Sequence, residues 1–351
     1  MPNFHIALTG PNDFAEIERL AADMQRPRHS VPILARRLGA KLYQTSLDAA
    51  APSPSDRLRS RLLGSPGGWS FAREMASRLG RNDVIFCLDA EVGVPMAATL
   101  RGRSDRPKIV VYLHNLDRPR GRVGGSLFGI ADCVDLFISC CSSQLEFVRN
   151  RFNVSEDRTL LLLNHIDNKF YTPGPPTSGK RRPVIASVGL ERRDYVTLAA
   201  AAADLDVDVW VDAWSPNARR MARAFPTVIP PNMTFRTNTS AGLVQLYRDA
   251  DLVAVSMFPN KYAGLTTLVE ALACERPVVA SRTIGLADYL VPGAVTTVEP
   301  CNPGAMRAAI VRLLENPEEA SSQARRGYQS VARRYDFDRY IEMVAERVEA
   351  L

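Results

Sequence analysis

Short, nearly continuous apolar segments recur along this chain and alternate with longer segments of helical periodicity. Continuous rather than alternating apolarity is typical of parallel strands that are buried on both faces. Strand–helix alternation from end to end therefore restricts the chain to the α/β class, with parallel sheets covered by helices. Strands are predicted over residues 5–9, 83–88, 108–113, 135–139, 159–163, 184–188, 207–211, 252–256 and 277–281. Helices are predicted over residues 14–24, 30–38, 195–203, 243–249 and 265–274.

A proline-rich segment, PGPPTSGKRRP at residues 173–183, interrupts this alternation and has the composition of a linker. It predicts an N-terminal domain over residues 1–172 and a C-terminal domain over residues 184–325. The charged segment 326–351 is predicted to be helical and to pack back on the N-terminal domain. The expected fold is two Rossmann-like, doubly wound parallel sheets facing a central cleft, with ligands bound beyond the carboxyl ends of the strands.

Charge is distributed unevenly between the two halves. Residues 1–175 contain 23 Lys and Arg and 18 Asp and Glu, whereas residues 176–351 contain 21 and 20. The basic first half predicts contact with something anionic, namely a membrane surface, a phosphorylated acceptor or a nucleic acid, and a solvated basic surface is the alternative. Residues 56–63, DRLRSRLL, are a candidate interfacial helix, although they are short and a solvated helical turn is the favoured alternative.

Cysteine usage and hydropathy indicate a cytoplasmic protein. The six cysteines include no C-x-x-C pair, so no metal is expected, and a reducing compartment fits. The N-terminus lacks the features of a signal peptide. No apolar run reaches the ~20 residues that would span a bilayer. Any membrane contact is therefore expected to be peripheral, at the inner face of the membrane.

The segment MFPNKYAGLTTLVEALACERPVVAS at residues 257–281 is the most informative about function. Gly264 lets the backbone approach a bulky ligand, and Thr266 and Thr267 stand at a helix start, where outward N–H groups and the dipole favour an anion. Glu270, expected within the first helical turn, can accept hydrogen bonds from two sugar hydroxyls. This combination suits a nucleotide sugar, and an ordinary helix cap before a strand is the alternative.

Two further strand ends carry candidate site residues. Arg192 and Arg193 follow the strand 184–188 and can hold a diphosphate, although an ion pair with Glu191 or Asp194 is the alternative. His114 follows the strand 108–113 and can hydrogen-bond a hydroxyl or act as a base, with a structural histidine as the alternative.

Several common chemistries lack their motifs. No G-x-G-x-x-G follows the first strand, no G-x-x-x-x-G-K-[ST] occurs, and no G-x-S-x-G occurs. These absences argue against a dinucleotide dehydrogenase, a P-loop nucleotidase and a serine hydrolase, respectively.

Taken in order, the motifs from about residue 83 onward resemble those of the family-four retaining glycosyltransferases of the GT-B fold. Residues 131–139, ADCVDLFIS, with Ser142 and Ser143, are similar to that family's AD-x-(hydrophobic)-S strand. Residues 163–173, LNHIDNKFYTP, are similar to its N-G-V-D-x-x-x-F-x-P inter-domain signature. Residues 231–235 and 246–252, PNMTF and LYRDADL, are similar to NV-x-F…LY-x-x-AD. Residues 257–281 are similar to its nucleotide-sugar motif.

The sequence departs from this family at four places. Tyr262 stands where the family has the first of two motif glutamates, and Glu270 matches the second, which holds the ribose. The family's diphosphate-binding Arg and Lys fall near Leu190 and Asp194, so Arg192 or Arg193 must substitute. His165 and Glu275 replace glycines.

The resemblance implies a retaining, metal-independent enzyme of polysaccharide biosynthesis that needs no cofactor. It would move a sugar from a nucleotide-diphosphate sugar to a glycan, lipid-linked or small-molecule acceptor, with no nucleic acid involved. His114 is the predicted catalytic residue. The predicted nucleotide-sugar-binding residues are Gly10, Arg192, Arg193, Lys261, Tyr262, Gly264, Leu265, Thr266, Thr267 and Glu270. A sugar-nucleotide epimerase and a catalytically silent carbohydrate-binding copy are the rival hypotheses.

Overall fold

The computed structural model of the protein describes residues 2–214 and 220–351. It contains two six-stranded, all-parallel sheets, which confirms the prediction of two Rossmann-like doubly wound sheets in the α/β class. The strands of the first sheet are β1 (Asn3–Leu8), β2 (Lys41–Gln44), β3 (Asp83–Cys87), β4 (Lys108–Leu113), β5 (Leu136–Ser139) and β6 (Thr159–Leu161). Those of the second are β7 (Val184–Val188), β8 (Asp208–Asp212), β9 (Met233–Arg236), β10 (Leu252–Val255), β11 (Val278–Ser281) and β12 (Thr296–Val298).

Helices fill the connections between these strands. The helices up to β6 are α1 (Phe14–Ala22), α2 (Ser30–Leu38), α3 (Thr45–Asp48), α4 (Pro54–Ser60), α5 (Pro66–Ala76), α6 (Ala90–Leu100), α7 (Pro119–Phe128), α8 (Ile130–Cys133) and α9 (Ser142–Phe152). The later helices are α10 (Tyr195–Ala202), α11 (Ser240–Asp249), α12 (Leu265–Ala273), α13 (Pro303–Glu315), α14 (Pro317–Arg334) and α15 (Phe337–Glu349). Three short 3₁₀ turns cover Glu156–Arg158, Ala222–Ala224 and Ile284–Tyr289.

The chain divides into two compact units. The first comprises Met1–Glu16, His29–Leu163 and Asp338–Leu351, and the second comprises Ile17–Arg28 and Asn164–Phe337. In the first unit, Arg37 of α2 donates to Glu342 and Glu349 of α15, both at 2.8 Å. In the second, the backbone N–H and the guanidinium of Arg28 donate to the Asp167 carboxylate at 2.8–3.0 Å. Each unit therefore includes one segment that is far in sequence from the rest of that unit: Asp338–Leu351 in the first and Ile17–Arg28 in the second.

Each unit has its own apolar core beside its sheet. In the first unit, Ile85, Val111 and Phe137 are buried with residues of α5 and α6. In the second, Ile185, Val209 and Leu252 are buried with the alanine-rich face of α10. Burial of this kind contributes about 25 cal/mol for each Å² of apolar surface removed from water, which is the main stabilising term for both sheets.

The strand order fixes where ligands can bind. It is β2-β1-β3-β4-β5-β6 in the first sheet and β12-β11-β10-β7-β8-β9 in the second. The direction in which successive strands are added reverses between β1 and β3 and between β7 and β10. In open parallel sheets, the crevice beyond the carboxyl ends of strands at such a reversal is the usual ligand site.

The unpredicted strands β2, β9 and β12 are all short edge strands. Their sequences, KLYQ, MTFR and TTV, mix polar and apolar residues because an edge strand is only partly buried. The apolar-run criterion therefore does not detect them.

Candidate active site

Two loops meet at the reversal point of the second sheet. One, residues 189–194, follows β7, and the other, residues 256–264, follows β10. The N–H of Asp194 donates to the carbonyl of Ser256 at 3.0 Å, and the Ser256 hydroxyl donates to the carbonyl of Asp194 at 2.8 Å. The N–H of Phe258 also donates to the carbonyl of Arg192 at 3.0 Å. These bonds bring together the two predicted nucleotide-sugar segments.

The Arg193 side chain points into this junction and is buried, with 4% of its surface exposed. Its guanidinium donates to the carbonyl of Val188 at 2.6 Å and to the hydroxyl of Thr267 at 2.6 Å, and it also contacts the sulfur of Met257. Burial lowers the pKa of Arg193, but an arginine remains charged at neutral pH. Arg193 therefore supplies a fixed positive charge beneath the loops.

Arg192 is only half-buried, and its backbone has a positive φ of 56°. Its guanidinium donates to the hydroxyl of Tyr262 at 3.4 Å, and the neighbouring Lys261 is exposed. Asp194 caps α10, where it accepts hydrogen bonds from the N–H and hydroxyl of Thr197 at 3.0 and 2.7 Å. Arg192, Lys261 and Tyr262 thus present polar groups at the surface of the junction.

Asn260, which sequence reasoning missed, fixes the shape of the second loop. Its side-chain oxygen accepts hydrogen bonds from the N–H groups of Tyr262 and Ala263 at 3.1 and 2.8 Å. Gly285 packs against the same turn so closely that a Cβ there would lie 2.5 Å from the Tyr262 nitrogen. The turn is therefore held by side-chain bonding and backbone packing. Pro259 and Asn260 are both residue types that favour turns, and they are the sequence signal that could have found it.

The start of α12 faces this loop. Gly264 is the N-cap residue, with a φ of 96° that favours glycine, and no side chain caps the helix among the residues that the structure describes. Thr266 is exposed, whereas Thr267 and Leu265 are buried. The Thr267 hydroxyl donates to the carbonyl of Val188 at 3.2 Å, so it anchors the helix to β7. A helix start of this form is suited to an anion.

Glu270 lies in the second turn of α12, and its expected position in the first turn was wrong. Its side chain is buried with 6% exposure and accepts a hydrogen bond from the Tyr247 hydroxyl at 2.7 Å and another from Tyr171. Burial raises the pKa of Glu270 to about 7, against the lowering effect of the two tyrosines and Arg193. The sequence assigns no role to Tyr247 and Tyr171 beyond their places in the family motifs, because nothing in it indicates that both side chains contact Glu270.

In the first unit, His114 follows β4 and is exposed. Its ring lies 4.8 Å from that of Tyr112, and its imidazole hydrogen-bonds Cys140. Gly10 follows β1 and packs closely on Gln44, whose side chain bonds the N–H and carbonyl of Asn12 at 2.5 and 3.0 Å. Both residues therefore lie at carboxyl ends of strands in the first sheet.

Within residues 2–214 and 220–351, no group of three or more His, Cys, Asp and Glu is placed to hold a metal ion. Over the same residues, every helix is too short or too polar to cross a membrane.

Comparison with known proteins agrees with the fold. Residues 198–316 match the family described as glycosyl transferases group 1. None of the curated proteins matches the sequence. Among solved structures, Alr3699/HepE of Anabaena in complex with UDP-glucose is 15% identical over 99% of this chain and 100% of its own, with a TM-score of 0.68.

Two synthases are similar in the same way. Sucrose-phosphate synthase of Thermosynechococcus elongatus is 17% identical over 98% of both chains, with a TM-score of 0.67. A UDP-forming trehalose-phosphate synthase of Burkholderia xenovorans is 15% identical over 99% of both chains, with a TM-score of 0.71. Identities this low establish the fold alone.

Two parallel Rossmann-like sheets with this strand order define a protein of the GT-B class. The family match is confined to residues 198–316, and over that segment the chain is similar to the group 1 glycosyltransferases.

Proposed function

We propose that this enzyme transfers a sugar, with retention of anomeric configuration and without a metal, from a uridine-diphosphate sugar to a glycan, lipid-linked or small-molecule acceptor. The observation that carries the proposal is the junction at the ends of β7 and β10. There the start of α12, the half-buried Arg192 and the buried carboxyl of Glu270 lie on neighbouring segments that are joined by hydrogen bonds. The UDP and UDP-glucose complexes of Alr3699/HepE support uridine as the base.

Each part of a nucleotide sugar has a partner in this junction. We assign the diphosphate to the first N–H groups of α12, with Arg192 and Lys261 beside it, because backbone donors and cations stabilise phosphate charge. In this assignment Thr266 borders the phosphates, and the backbone of Gly264 and Leu265 lies next to them. Glu270 accepts the ribose hydroxyls.

The remaining predicted residues have supporting roles in this proposal. Arg193 and Thr267 hold β7, the loop 256–264 and α12 together and add buried positive charge. Tyr262, in place of the family's first glutamate, borders the transferred sugar. Gly10 is a further proposed donor-binding residue.

The proposed chemistry needs no enzymic nucleophile. The departing diphosphate helps to remove the acceptor proton while the acceptor attacks from the same face. The protein positions the reactants and stabilises the developing phosphate charge with Arg192, Lys261 and the α12 amides. His114 is the proposed catalytic residue.

Turnover of several donors tests this proposal. The purified enzyme is incubated with UDP-glucose, GDP-mannose and dTDP-glucose, and nucleoside diphosphate and sugar identity are measured. We expect UDP release from UDP-glucose, with His114→Ala lowering turnover while calorimetric UDP affinity stays at the wild-type value. A changed sugar without UDP release would instead identify an epimerase, and binding without turnover would identify a silent carbohydrate-binding copy.

We also propose that the acceptor is reached at the inner face of a membrane, in the cytoplasm, through the first unit. The supporting feature is a surface formed by α4, the turn that follows it and α7. Its exposed apolar residues are Leu58, Leu62, Val123 and Leu127. Its exposed arginines are Arg57, Arg59, Arg61, Arg118, Arg120 and Arg122.

These two segments are in contact, since a Cβ on Gly124 would lie 2.7 Å from Leu63 and 3.4 Å from the carbonyl of Leu62. Apolar residues among arginines favour a surface of anionic lipid.

Flotation with phosphatidylglycerol vesicles tests this proposed membrane contact. The wild type should float, a Leu58→Ser and Leu127→Ser double variant should float less, and an Arg325→Ala variant in the second unit should float like the wild type. Equal flotation with neutral vesicles would contradict the electrostatic part.

A further inference from the structure

Two adjacent cysteines lie where β5 ends in the first unit. Cys140 and Cys141 have 6% and 1% of their surfaces exposed. Successive side chains of an extended strand point to opposite faces. Here, however, the two sulfur atoms are only 3.9 Å apart, in van der Waals contact. The bend after β5 therefore turns both thiols to one side.

The surroundings of Cys140 favour its thiolate. Hydrogen bonds from Cys141, His114 and Tyr112 hold the pKa of the Cys140 thiol well below its usual value, in spite of its burial. The thiolate, and not the thiol, is the nucleophile toward peroxides and disulfides. Cys141 is in place as the second thiol that resolves an oxidised intermediate.

Cys301 offers a contrast within the same chain. It is the exposed cysteine among the residues that the structure describes, and partial burial together with Asp194 raises the pKa of its thiol. Ordinary exposure would make Cys301 the most readily oxidised cysteine. The hydrogen bonds around Cys140 predict the opposite order.

We propose that Cys140 and Cys141 form a thiol-oxidation site at which hydrogen peroxide produces a reversible vicinal disulfide. The Cys140 thiolate attacks one peroxide oxygen, the O–O bond breaks, and hydroxide leaves with the electron pair to give a sulfenic acid. The Cys141 sulfur then attacks the Cys140 sulfur, an S–S bond forms, and the sulfenic oxygen leaves as water with the Cys141 proton. In total, two thiols are oxidised and one peroxide is reduced to two waters.

The bond between neighbouring residues would be easily reversed. Adjacent Cα atoms are about 3.8 Å apart, less than the roughly 4.4–6.8 Å of ordinary disulfides, so the bond is strained and readily reduced by thiols. Its formation removes the thiolate that His114 hydrogen-bonds. Because His114 is the proposed catalytic contact, oxidation would lower transferase activity; this consequence, unlike the oxidation itself, rests on the proposed function.

Peroxide titration of the reduced full-length protein tests the site without reference to activity. Hydrogen peroxide is added at pH 7, and intact mass and tryptic peptides are measured. We expect the wild type and Cys301→Ser to lose two hydrogen atoms, with a linkage between Cys140 and Cys141 that dithiothreitol reverses. Cys141→Ser should stop at a sulfenic acid that dimedone traps, and Cys140→Ser should not react at this site. Oxidation of Cys301 before Cys140, or the absence of a linkage, would overturn the proposal.

A separate measurement tests whether oxidation of Cys140 affects His114. The sequence has only four histidines, so their ring signals can be followed by NMR and assigned with His114→Ala. Oxidation should move the His114 signals and lower UDP release toward the rate of His114→Ala, and dithiothreitol should restore both. Unmoved His114 signals in protein that carries the disulfide would overturn the regulatory link. If the reduced enzyme released no UDP, the mass and NMR results would still decide the inference separately from the proposed function.

Discussion

Glu270 shows how one residue connects stability to binding. Its carboxyl is held in an apolar interior by two tyrosine hydroxyls, and burial raises its pKa to about 7. The folded state therefore binds the proton more tightly than the unfolded chain, whose carboxyl has the model-peptide pKa of about 4.3. Stability is highest when the carboxyl is protonated and declines as the pH rises from about 4.5 to about 7.

Nucleotide binding should show the opposite pH dependence, because ribose hydroxyls donate to the ionised carboxylate. With a pKa of about 7, the ionised fraction rises from about 0.09 at pH 6 to about 0.91 at pH 8, so the wild-type affinity for UDP-glucose should rise about tenfold. Glu270→Gln should bind about 1–3 kcal/mol more weakly at pH 8 and should lose the pH dependence. Calorimetry at both pH values measures this, and equal pH dependence in both proteins would remove Glu270 from the binding site.

Arg192 and its neighbour Arg193 differ in exposure, and this difference predicts different variant behaviour. Arg192→Ala should weaken UDP binding by about 1–3 kcal/mol, because Arg192 is proposed to contact the diphosphate. Uridine has no diphosphate, so its binding should be unchanged. Arg193→Ala should lower the free energy of unfolding as well, since it removes two buried hydrogen bonds, one to the Val188 carbonyl and one to the Thr267 hydroxyl.

Arg325→Ala, which removes the same charge from an exposed position on α14, is the control for net charge. Binding of UDP and uridine to all four proteins is measured by calorimetry, and unfolding by urea titration. Equal losses of UDP and uridine affinity in Arg192→Ala would contradict its phosphate role.

Among the elements, the segment from β10 through α12 was the most predictable. Its strand is continuously apolar, its loop contains Gly264, and its helix begins where the apolar periodicity begins. The direction of the Arg193 side chain was not predictable, since adjacent arginines look alike in sequence and only the packing of Met257 and Thr267 distinguishes them. The edge strands escaped prediction because they are too polar.

The loop 256–264 depends on a glycine in the 3₁₀ turn Ile284–Tyr289. A Cβ on Gly285 would meet the backbone nitrogen of Tyr262 at 2.5 Å, and a backbone atom cannot move aside as a side chain can. Gly285→Ala should therefore shift the loop, destabilise the protein by about 1–3 kcal/mol and weaken UDP binding.

Gly304 on α13 provides a matched control, because the nearest atom to its Cβ would be the Asn302 side-chain oxygen at an ordinary 3.6 Å. Urea unfolding and calorimetry of Gly285→Ala and Gly304→Ala distinguish the two sites. Wild-type UDP affinity in Gly285→Ala would show that the shape of the loop does not matter for the nucleotide.

On the scale of the whole molecule, the α/β class and the two doubly wound sheets followed from the sequence, because strands buried on both faces leave continuous apolar runs. Which segments of the chain belong to each unit was harder to predict from the sequence. Ile17–Arg28 belongs to the second unit through contacts such as Arg28 with Asp167, and a pairing over that separation leaves no local pattern. The contact between Cys140 and His114 could not be predicted either, because β4 and β5 are neighbours in the sheet but not in the sequence.

The central claim is that the reversal point of the second sheet binds the nucleotide. Crystals soaked with UDP test it most directly. The account predicts diphosphate density against the start of α12 and Arg192, with the ribose beside Glu270. Density for UDP elsewhere on the protein, with this junction unoccupied in the same crystals, would contradict it.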